Sequence, residues 1–93
     1  MVRAASGIDV KAAVEAALRY VKDLYAGQNL RDLLLEEVEL SDRETEWIVT
    51  VGFSLPKEEQ ELLLSPRHLG RHYKTVRIDA TTGQPLSMRI RTV

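Results

Sequence analysis

Two histidines spaced four residues apart are the first side chains that could do chemistry. His68 and His72 would share one face of a helix, where two imidazoles can hold a metal ion. Gly70 lies between them and a strand is expected to begin just after them, so helical geometry is not predicted there. The chain has no cysteine, which excludes thiolate ligands and a thiolate nucleophile. We therefore expect no metal and no other cofactor.

A cluster of glutamates offers a second kind of chemistry. Carboxylates act in acid–base catalysis when their surroundings shift their pKa values toward neutrality. Glu37 and Glu39 fall on the outward face of a predicted strand, together with Glu36 nearby in the chain, and open water favours the charged carboxylate. No Gly-x-Ser-x-Gly motif and no glycine-rich phosphate loop accompanies them. We expect these acids to pair with Arg89 or Arg91 across a sheet, and we do not expect an enzyme.

Charge is distributed unevenly along the 93 residues. Residues 1–65 carry 7 basic and 13 acidic side chains, whereas residues 66–93 carry 6 basic side chains and one acid. A basic surface with a tyrosine that stacks on a base is typical of nucleic-acid binding, but the isoelectric point lies near 6.1. We favour acidic and basic strands that lie side by side and neutralise each other. The residues that could form a basic surface on the outward face of the sheet are Arg71, Lys74, Arg77, Arg89 and Arg91, with Tyr73 available to stack on a base.

These residues must be positioned by a helix and a set of strands. Apolar residues recur at helical spacing from Val10 to Tyr25 and cover a sector about 160° wide. Either Ser6 or Asp9 can cap the start of this helix, and Gly27 is a natural stop because glycine adopts positive φ without strain. A wide apolar face needs a broad surface to lie on, and a sheet provides one.

Alternation of apolar and polar residues predicts the strands. It is strict in 46–55, where Trp47 and Phe53 point inward and Ile48 points outward. The segment 33–40 also predicts a strand, with a bulge or another irregular conformation at its three leucines. The segments 73–79 and 85–93 form a second hairpin, in which Val76, Ile78, Leu86, Met88 and Ile90 are predicted to point inward. Its turn contains Asp79, which can close an Asx-turn, and Gly83.

A long connection, 56–71, joins the two hairpins. Residues 57–64 could form two helical turns, and Pro66 and Gly70 would break any continuation. Connections of this length are often functional or mobile. A crossover that packs through its leucines is the other interpretation, and the sequence favours neither.

The predicted fold is a single α+β domain spanning 1–93, in the order α-β-β-(short helix or loop)-β-β. One long N-terminal helix packs on a four-stranded antiparallel meander sheet. This arrangement resembles the cystatin-like and PepSY-like α+β folds. In the PepSY hairpin, an apolar-x-apolar-Asp strand turns through Thr-Gly and returns as a second apolar strand. The matching positions here are Val76, Ile78, Asp79, Thr82, Gly83 and Leu86.

The resemblance supports the fold more than the function. PepSY domains are mostly exported and associated with peptidases, which some are thought to inhibit or regulate. Small cytoplasmic bacterial proteins of unknown function share the pattern. The segment 1–7 has no apolar region typical of a signal peptide, and no apolar run approaches the ~20 residues of a membrane span. We expect a cytoplasmic protein that does not associate with a membrane.

The function we predict is that of a non-catalytic protein-interaction or regulatory module. A single helix covers only one face of a four-stranded sheet, and the other face carries a mixture of apolar, aromatic and arginine side chains that is typical of interfaces. We expect a protein partner or self-association, including a homodimer, rather than nucleic acid. The candidate partner-binding residues are Ile48, Tyr73, Arg77, Arg89 and Arg91.

The alternative is a small-ligand or nucleic-acid binding module that uses the connection, residues 56–72, and the basic C-terminal hairpin. Its candidate contacts in the connection are Leu62, Leu63, His68 and His72. A pocket between the helix and the sheet would be lined by Tyr20, Tyr25, Trp47 and Phe53. These are four of the chain's five aromatic residues, and a domain of this size is expected to need them in its core.

Overall fold

One helix lies on a four-stranded antiparallel sheet, which is the predicted α+β architecture. The computed structural model describes residues 7–56 and 71–91. The strands follow each other across the sheet in the order β1-β2-β3-β4. The elements are α1 (Val10–Leu24), β1 (Arg31–Leu40), β2 (Glu46–Ser54), β3 (Arg71–Asp79) and β4 (Pro85–Ile90). The predicted helical turns at 57–64, and with them Leu62, Leu63 and His68, lie outside the described residues.

The helix begins and ends where local chemistry favours it. Asp9 is the N-cap, and its carboxylate accepts a hydrogen bond of 2.8 Å from the backbone N–H of Ala12. This satisfies one of the N–H groups that a first helical turn leaves free. The helix ends at Leu24, and Gly27 follows with φ of +89°. The predicted helix is confirmed to within one residue.

The core lies between the small side chains of α1 and the inward side chains of β2 and β3. Ala13, Ala17 and Val21 of the helix are fully buried. The small alanine side chains let the helix approach the sheet closely. The buried sheet residues are Val49, Val51, Phe53, Val76 and Ile78. The strict alternation of β2 therefore predicted its inward face correctly.

The first strand is irregular where its three leucines stand. The pairing of β1 with β2 shifts register between Arg31 and Leu34 and again between Leu35 and Glu37. A bulge inserts an extra residue into one strand and turns the side chains that follow. Leu34 and Leu35 are exposed as a result, and the predicted irregularity is confirmed.

Two residues of the last strand do not point into the core, so that part of the prediction is wrong. Leu86 is 51% exposed and Ile90 is 79% exposed. Alternation along β4 places residues on the two faces of the sheet, but burial also requires something to lie on that face. The helix α1 packs over the central strands, and in β4 the core contact is made by Met88, opposite Val76.

The turn of the second hairpin is held by Asp79 as predicted. Its carboxylate Oδ1 accepts hydrogen bonds from the backbone N–H groups of Thr81 (2.8 Å) and Thr82 (2.9 Å). These bonds favour the charged carboxylate and lower the pKa of Asp79 below its ordinary value. Gly83 then adopts φ of +81°, and its N–H donates to the carbonyl oxygen of Asp79. The turn is thus fixed by backbone bonds and by two side chains, since Thr82 Oγ1 also accepts a 3.2 Å hydrogen bond from the N–H of Gln84.

Candidate protein-binding face

The five candidate partner-binding residues lie on one face of the sheet. We call the side opposite α1 the outer face. Directly paired residues of neighbouring antiparallel strands share a face. Ile48 pairs with Arg77, and Arg89 pairs with Thr75. Tyr73 follows the same alternation, and its carbonyl oxygen accepts a 2.8 Å hydrogen bond from the N–H of Arg91. Strand phase therefore brings all five together.

Arg91 extends across the width of the outer face. Its Nη1 donates to Glu37 Oε1 at 2.9 Å and to Thr50 Oγ1 at 2.9 Å. Arg91 follows β4, Thr50 lies in β2 and Glu37 lies in β1, so one guanidinium links both edges of the sheet to its centre. Thr50 is only 3% exposed although it faces away from the helix. The prediction that Glu37 pairs with Arg91 is confirmed.

Arg71 makes a second bridge over a glycine. Its Nη2 lies 3.1 Å from Glu36 Oε2, and its Nη1 donates to the carbonyl oxygen of Asp32 at 2.7 Å. A Cβ at Gly52 would lie 2.6 Å from both Arg71 Nη2 and Glu36 Oε2. Glycine at this strand position is therefore needed for the ion pair to lie against the backbone. The guanidinium carbon is also 6.0 Å from the ring centroid of Tyr73.

The third bridge joins adjacent strands. Arg77 Nη1 lies 2.7 Å from Glu46 Oε1. The interpretation that acidic and basic strands neutralise each other is thus confirmed on the outer face. Lys74, which we grouped with the outward cations, is directly opposite Val51 and Ile90 and belongs to the helix side. The prediction that Lys74 points outward is therefore wrong. Side chains alternate along β3, so Lys74 lies on the same side of the sheet as Val76, two residues away.

Part of the outer face is not bridged by these ion pairs. Arg89 is exposed and belongs to none of the three arginine–glutamate pairs found among the described residues of this face. Beside it stand Thr75, Arg77 and Ser87, and Ile48 lies half-buried one strand further in. Ser87 Oγ is buried and has no hydrogen-bond partner within the part of the chain that the structure describes. This part of the face combines the half-buried side chain of Ile48, the exposed guanidinium of Arg89 and the buried hydroxyl group of Ser87.

Sequence reasoning singled out Arg71 and Glu36 separately but missed their pairing. Their strands, β3 and β1, are both neighbours of β2, so contact requires the side chains to reach over the central strand. The signal that could have revealed the bridge is Gly52, a glycine at an outward position of a strand that otherwise carries large residues. The ion pair between Glu46 and Arg77 was also not predicted, because it follows from the register of β2 against β3, which the sequence does not specify.

The four aromatic residues considered for a ligand pocket lie in the core or pack against it, and Tyr25 also lines a shallow depression at the surface. Phe53 is fully buried, its ring centroid lies 4.8 Å from that of Tyr25, and it stacks with His72 at 5.5 Å. Tyr20 and Trp47 pack against the same core. His72 thus lies in β3, on the helix side of the sheet. This strand begins at Arg71, two residues earlier than the predicted start at Tyr73.

A shallow depression lies beside the C-terminal end of the helix. It has a volume of about 470 Å³ and is wide open to solvent. The residues that line it are Lys22, Tyr25, Ala26, Gly27, Asn29, Leu30 and Leu33. None of the five candidate partner-binding residues contributes to it, so it is separate from the outer face.

The described ranges, 7–56 and 71–91, show neither a metal-binding cluster nor a membrane-spanning helix. They contain no group of three or more histidine, cysteine, aspartate or glutamate side chains able to hold a metal ion. No helix within them is long and apolar enough to cross a membrane. Comparison with known proteins finds no matching family model, no matching curated protein and no matching solved structure. The resemblance to PepSY-like and cystatin-like domains stays a prediction.

Proposed function

We propose that this protein is a non-catalytic interaction module that binds a protein partner through the outer face of its sheet. The observation that carries the proposal is the coincidence of Ile48, Tyr73 and the arginines on a face that α1 does not cover. Tyrosine and arginine are enriched where protein interfaces concentrate their binding energy. Binding in the cytoplasm, as expected from the sequence, is part of the proposal.

The ion pairs make this face suited to recognition. Arginine side chains have many rotamers, and ordering them on binding costs free energy. Here Arg71, Arg77 and Arg91 are already held by acids at 2.7–3.1 Å. A partner that meets the face therefore encounters side chains that are largely ordered in advance. Ile48 supplies apolar contact, and Arg89 is available for a carboxylate of the partner.

The same pairing favours a protein over a nucleic acid. Nucleic-acid affinity comes mainly from cations that neutralise phosphates. On the outer face, three of the four arginines that were expected to form a basic surface already have carboxylate partners, Glu36, Glu46 and Glu37. Replacing those acids by phosphates would require the intramolecular pairs to break first.

Affinity capture from a native extract tests the proposal, with the wild-type chain compared with two variants. Ile48→Glu places a charge in the middle of the outer face. Leu24→Glu is the matched control, because Leu24 is a half-exposed apolar residue at the end of the helix. We expect a protein recovered in near-stoichiometric amount with wild type and Leu24→Glu, and lost with Ile48→Glu. Circular dichroism of both variants establishes that they fold.

Nuclease and salt distinguish the alternatives in the same experiment. Recovery that is unchanged by nuclease supports a protein partner. Recovery that disappears with nuclease, or that falls steeply between low and high salt, identifies nucleic acid and overturns the proposal. Equal recovery with Ile48→Glu and wild type also overturns it, since the partner would then bind elsewhere.

A further inference from the structure

The two edges of the sheet differ in how well they resist pairing with another strand. Proteins protect edge strands with bulges and charged side chains. The β1 edge has both, with two register shifts and the acids Glu36, Glu37 and Glu39. The β4 edge pairs regularly with β3 from Ser87 to Ile90, and its one irregularity lies at its start. Among the described residues, β4 is therefore the edge open to a further strand.

The backbone of β4 offers hydrogen bonds on its free side. The N–H of Arg91 donates to Tyr73 in β3, and backbone groups alternate in direction along a strand. The N–H and C=O groups of Arg89 and Ser87 therefore also point toward β3, whereas those of Ile90 and Met88 point away from it. No described strand pairs with them there. These groups form a row that a partner strand can satisfy.

The side chains of β4 are complementary to a second copy of the same strand. Antiparallel pairing about a two-fold axis at Met88 places Leu86 opposite Ile90 of the second copy. These two apolar residues are 51% and 79% exposed in the single chain. The same register sets Arg89 opposite Ser87 of the second copy, whose hydroxyl oxygen has no hydrogen-bond partner among the described residues of its own chain. No two like charges lie directly opposite each other, as a stable pair of strands requires.

We propose that two copies of this chain associate through their β4 strands, centred on Met88, to form one continuous eight-stranded antiparallel sheet. The interface is isologous, so each contact occurs twice. The proposal goes beyond the proposed function, because the second copy is held at the β4 edge and not on the outer face. The dimer places the two outer faces side by side and leaves Ile48 and Tyr73 uncovered.

Molecular mass in solution tests the association. We expect light scattering and sedimentation of the wild-type chain to move from the 10.5 kDa of one chain toward twice that mass as concentration rises from about 1 µM to about 1 mM. Ile90→Lys should weaken the association at least about tenfold, because symmetry inserts the lysine twice. Leu34→Lys is the matched control, an exposed leucine on the β1 edge, and it should leave the association unchanged.

Engineered cysteines test the register, since the natural chain has none. Met88→Cys should form a covalent dimer on mild oxidation, because paired residues at a two-fold axis lie within the distance that a disulfide spans. Ile90→Cys should not, because its opposite residue is Leu86 of the second copy. If Met88→Cys disturbs packing, the double variant Leu86→Cys/Ile90→Cys tests the same register at exposed positions.

The outcomes that overturn this proposal are separate from those that overturn the proposed function. A wild-type chain that remains monomeric at about 1 mM overturns it, as does equal weakening by Leu34→Lys and Ile90→Lys. Faster cross-linking of Ile90→Cys than of Met88→Cys overturns the register. None of these results bears on capture of a partner through Ile48, which lies two strands away from the β4 edge.

Discussion

Truncation of Phe53 is the perturbation whose effect the structure determines most closely. The side chain is fully buried between the helix and the sheet, beside Tyr25 and His72. An aromatic side chain buries about 200 Å², and about 25 cal/mol per Å² gives about 5 kcal/mol. This is an upper bound, because the denatured chain already buries part of that area. We expect Phe53→Ala to lower the free energy of unfolding by about 3–5 kcal/mol.

Urea unfolding followed by tryptophan fluorescence measures this loss. Trp47 is the chain's only tryptophan and packs against the core, so its emission reports on the same structure. Small domains are stable by only about 5–15 kcal/mol, so Phe53→Ala removes a large share of the total. If that variant does not fold, Phe53→Leu provides a milder truncation, with an expected loss of about 1–2 kcal/mol.

The matched control is Ile48→Ala on the same strand. Ile48 points to the outer face and is only half-buried, so we expect less than half of the loss seen for Phe53→Ala. A loss below about 1 kcal/mol for Phe53→Ala, or an equal loss for the two variants, would refute the assigned phase of β2. The outer face would then have to be reassigned as well.

Three further predictions concern the turn, the glycine bridge and the helix entry. Asp79→Asn should lower the free energy of unfolding at neutral pH, and this deficit against wild type should vanish as the pH falls. Because the pKa of Asp79 is lower in the folded chain than its ordinary value of 3.8, the charged carboxylate stabilises the fold above pH 3.8. That stabilisation is lost as the pH falls below 3.8 and through the depressed pKa. Gly52→Ala should leave the chain folded, with a stability change within about 1 kcal/mol. The coupling between Arg71 and Glu36 in a double-mutant cycle should then fall toward zero. Trp47→Phe should cost about 1–3 kcal/mol in thermal or urea unfolding, because it removes the indole N–H that donates to Ile8 O at 3.2 Å.

Each of these predictions has a result that contradicts it. Asp42→Asn is the control for the pH profile, because it removes a carboxylate from the other hairpin loop; an identical profile for Asp42→Asn and Asp79→Asn would show that net charge alone explains the effect. An undiminished Arg71–Glu36 coupling in Gly52→Ala would mean that the ion pair does not lie over the glycine. A Trp47→Phe variant as stable as wild type would remove the assigned role of the indole hydrogen bond.

The phases of the strands could be read from the sequence because side chains alternate strictly wherever one face is buried. This is why Ile48 and Tyr73 were placed correctly on the outer face before any contact was known. Burial at the edge could not be read in the same way. Leu86 and Ile90 follow the apolar alternation, yet they are exposed because α1 is too narrow to cover all four strands.

The contacts within the outer face depended on information that alternation does not contain. Whether Glu37 meets Arg91 is decided by strand order, by register and by the reach of a long side chain across two intervening strands. The pairing of these two residues was predicted from charge alone, whereas the bridge from Arg71 to Glu36 over Gly52 was not. Bulges in β1 shift the glutamates relative to the regular strand, so a count along the sequence cannot place them.

Radical footprinting of the tyrosine side chains tests the central claim most directly. Tyr73 lies on the outer face, while Tyr20 lies on the helix, and both are partly exposed. The chain is labelled in buffer and in native extract, and oxidation at each tyrosine is compared by mass spectrometry. We expect oxidation of Tyr73 to fall in extract while that of Tyr20 is unchanged. Protection of Tyr20 with no protection of Tyr73 would contradict binding through the outer face.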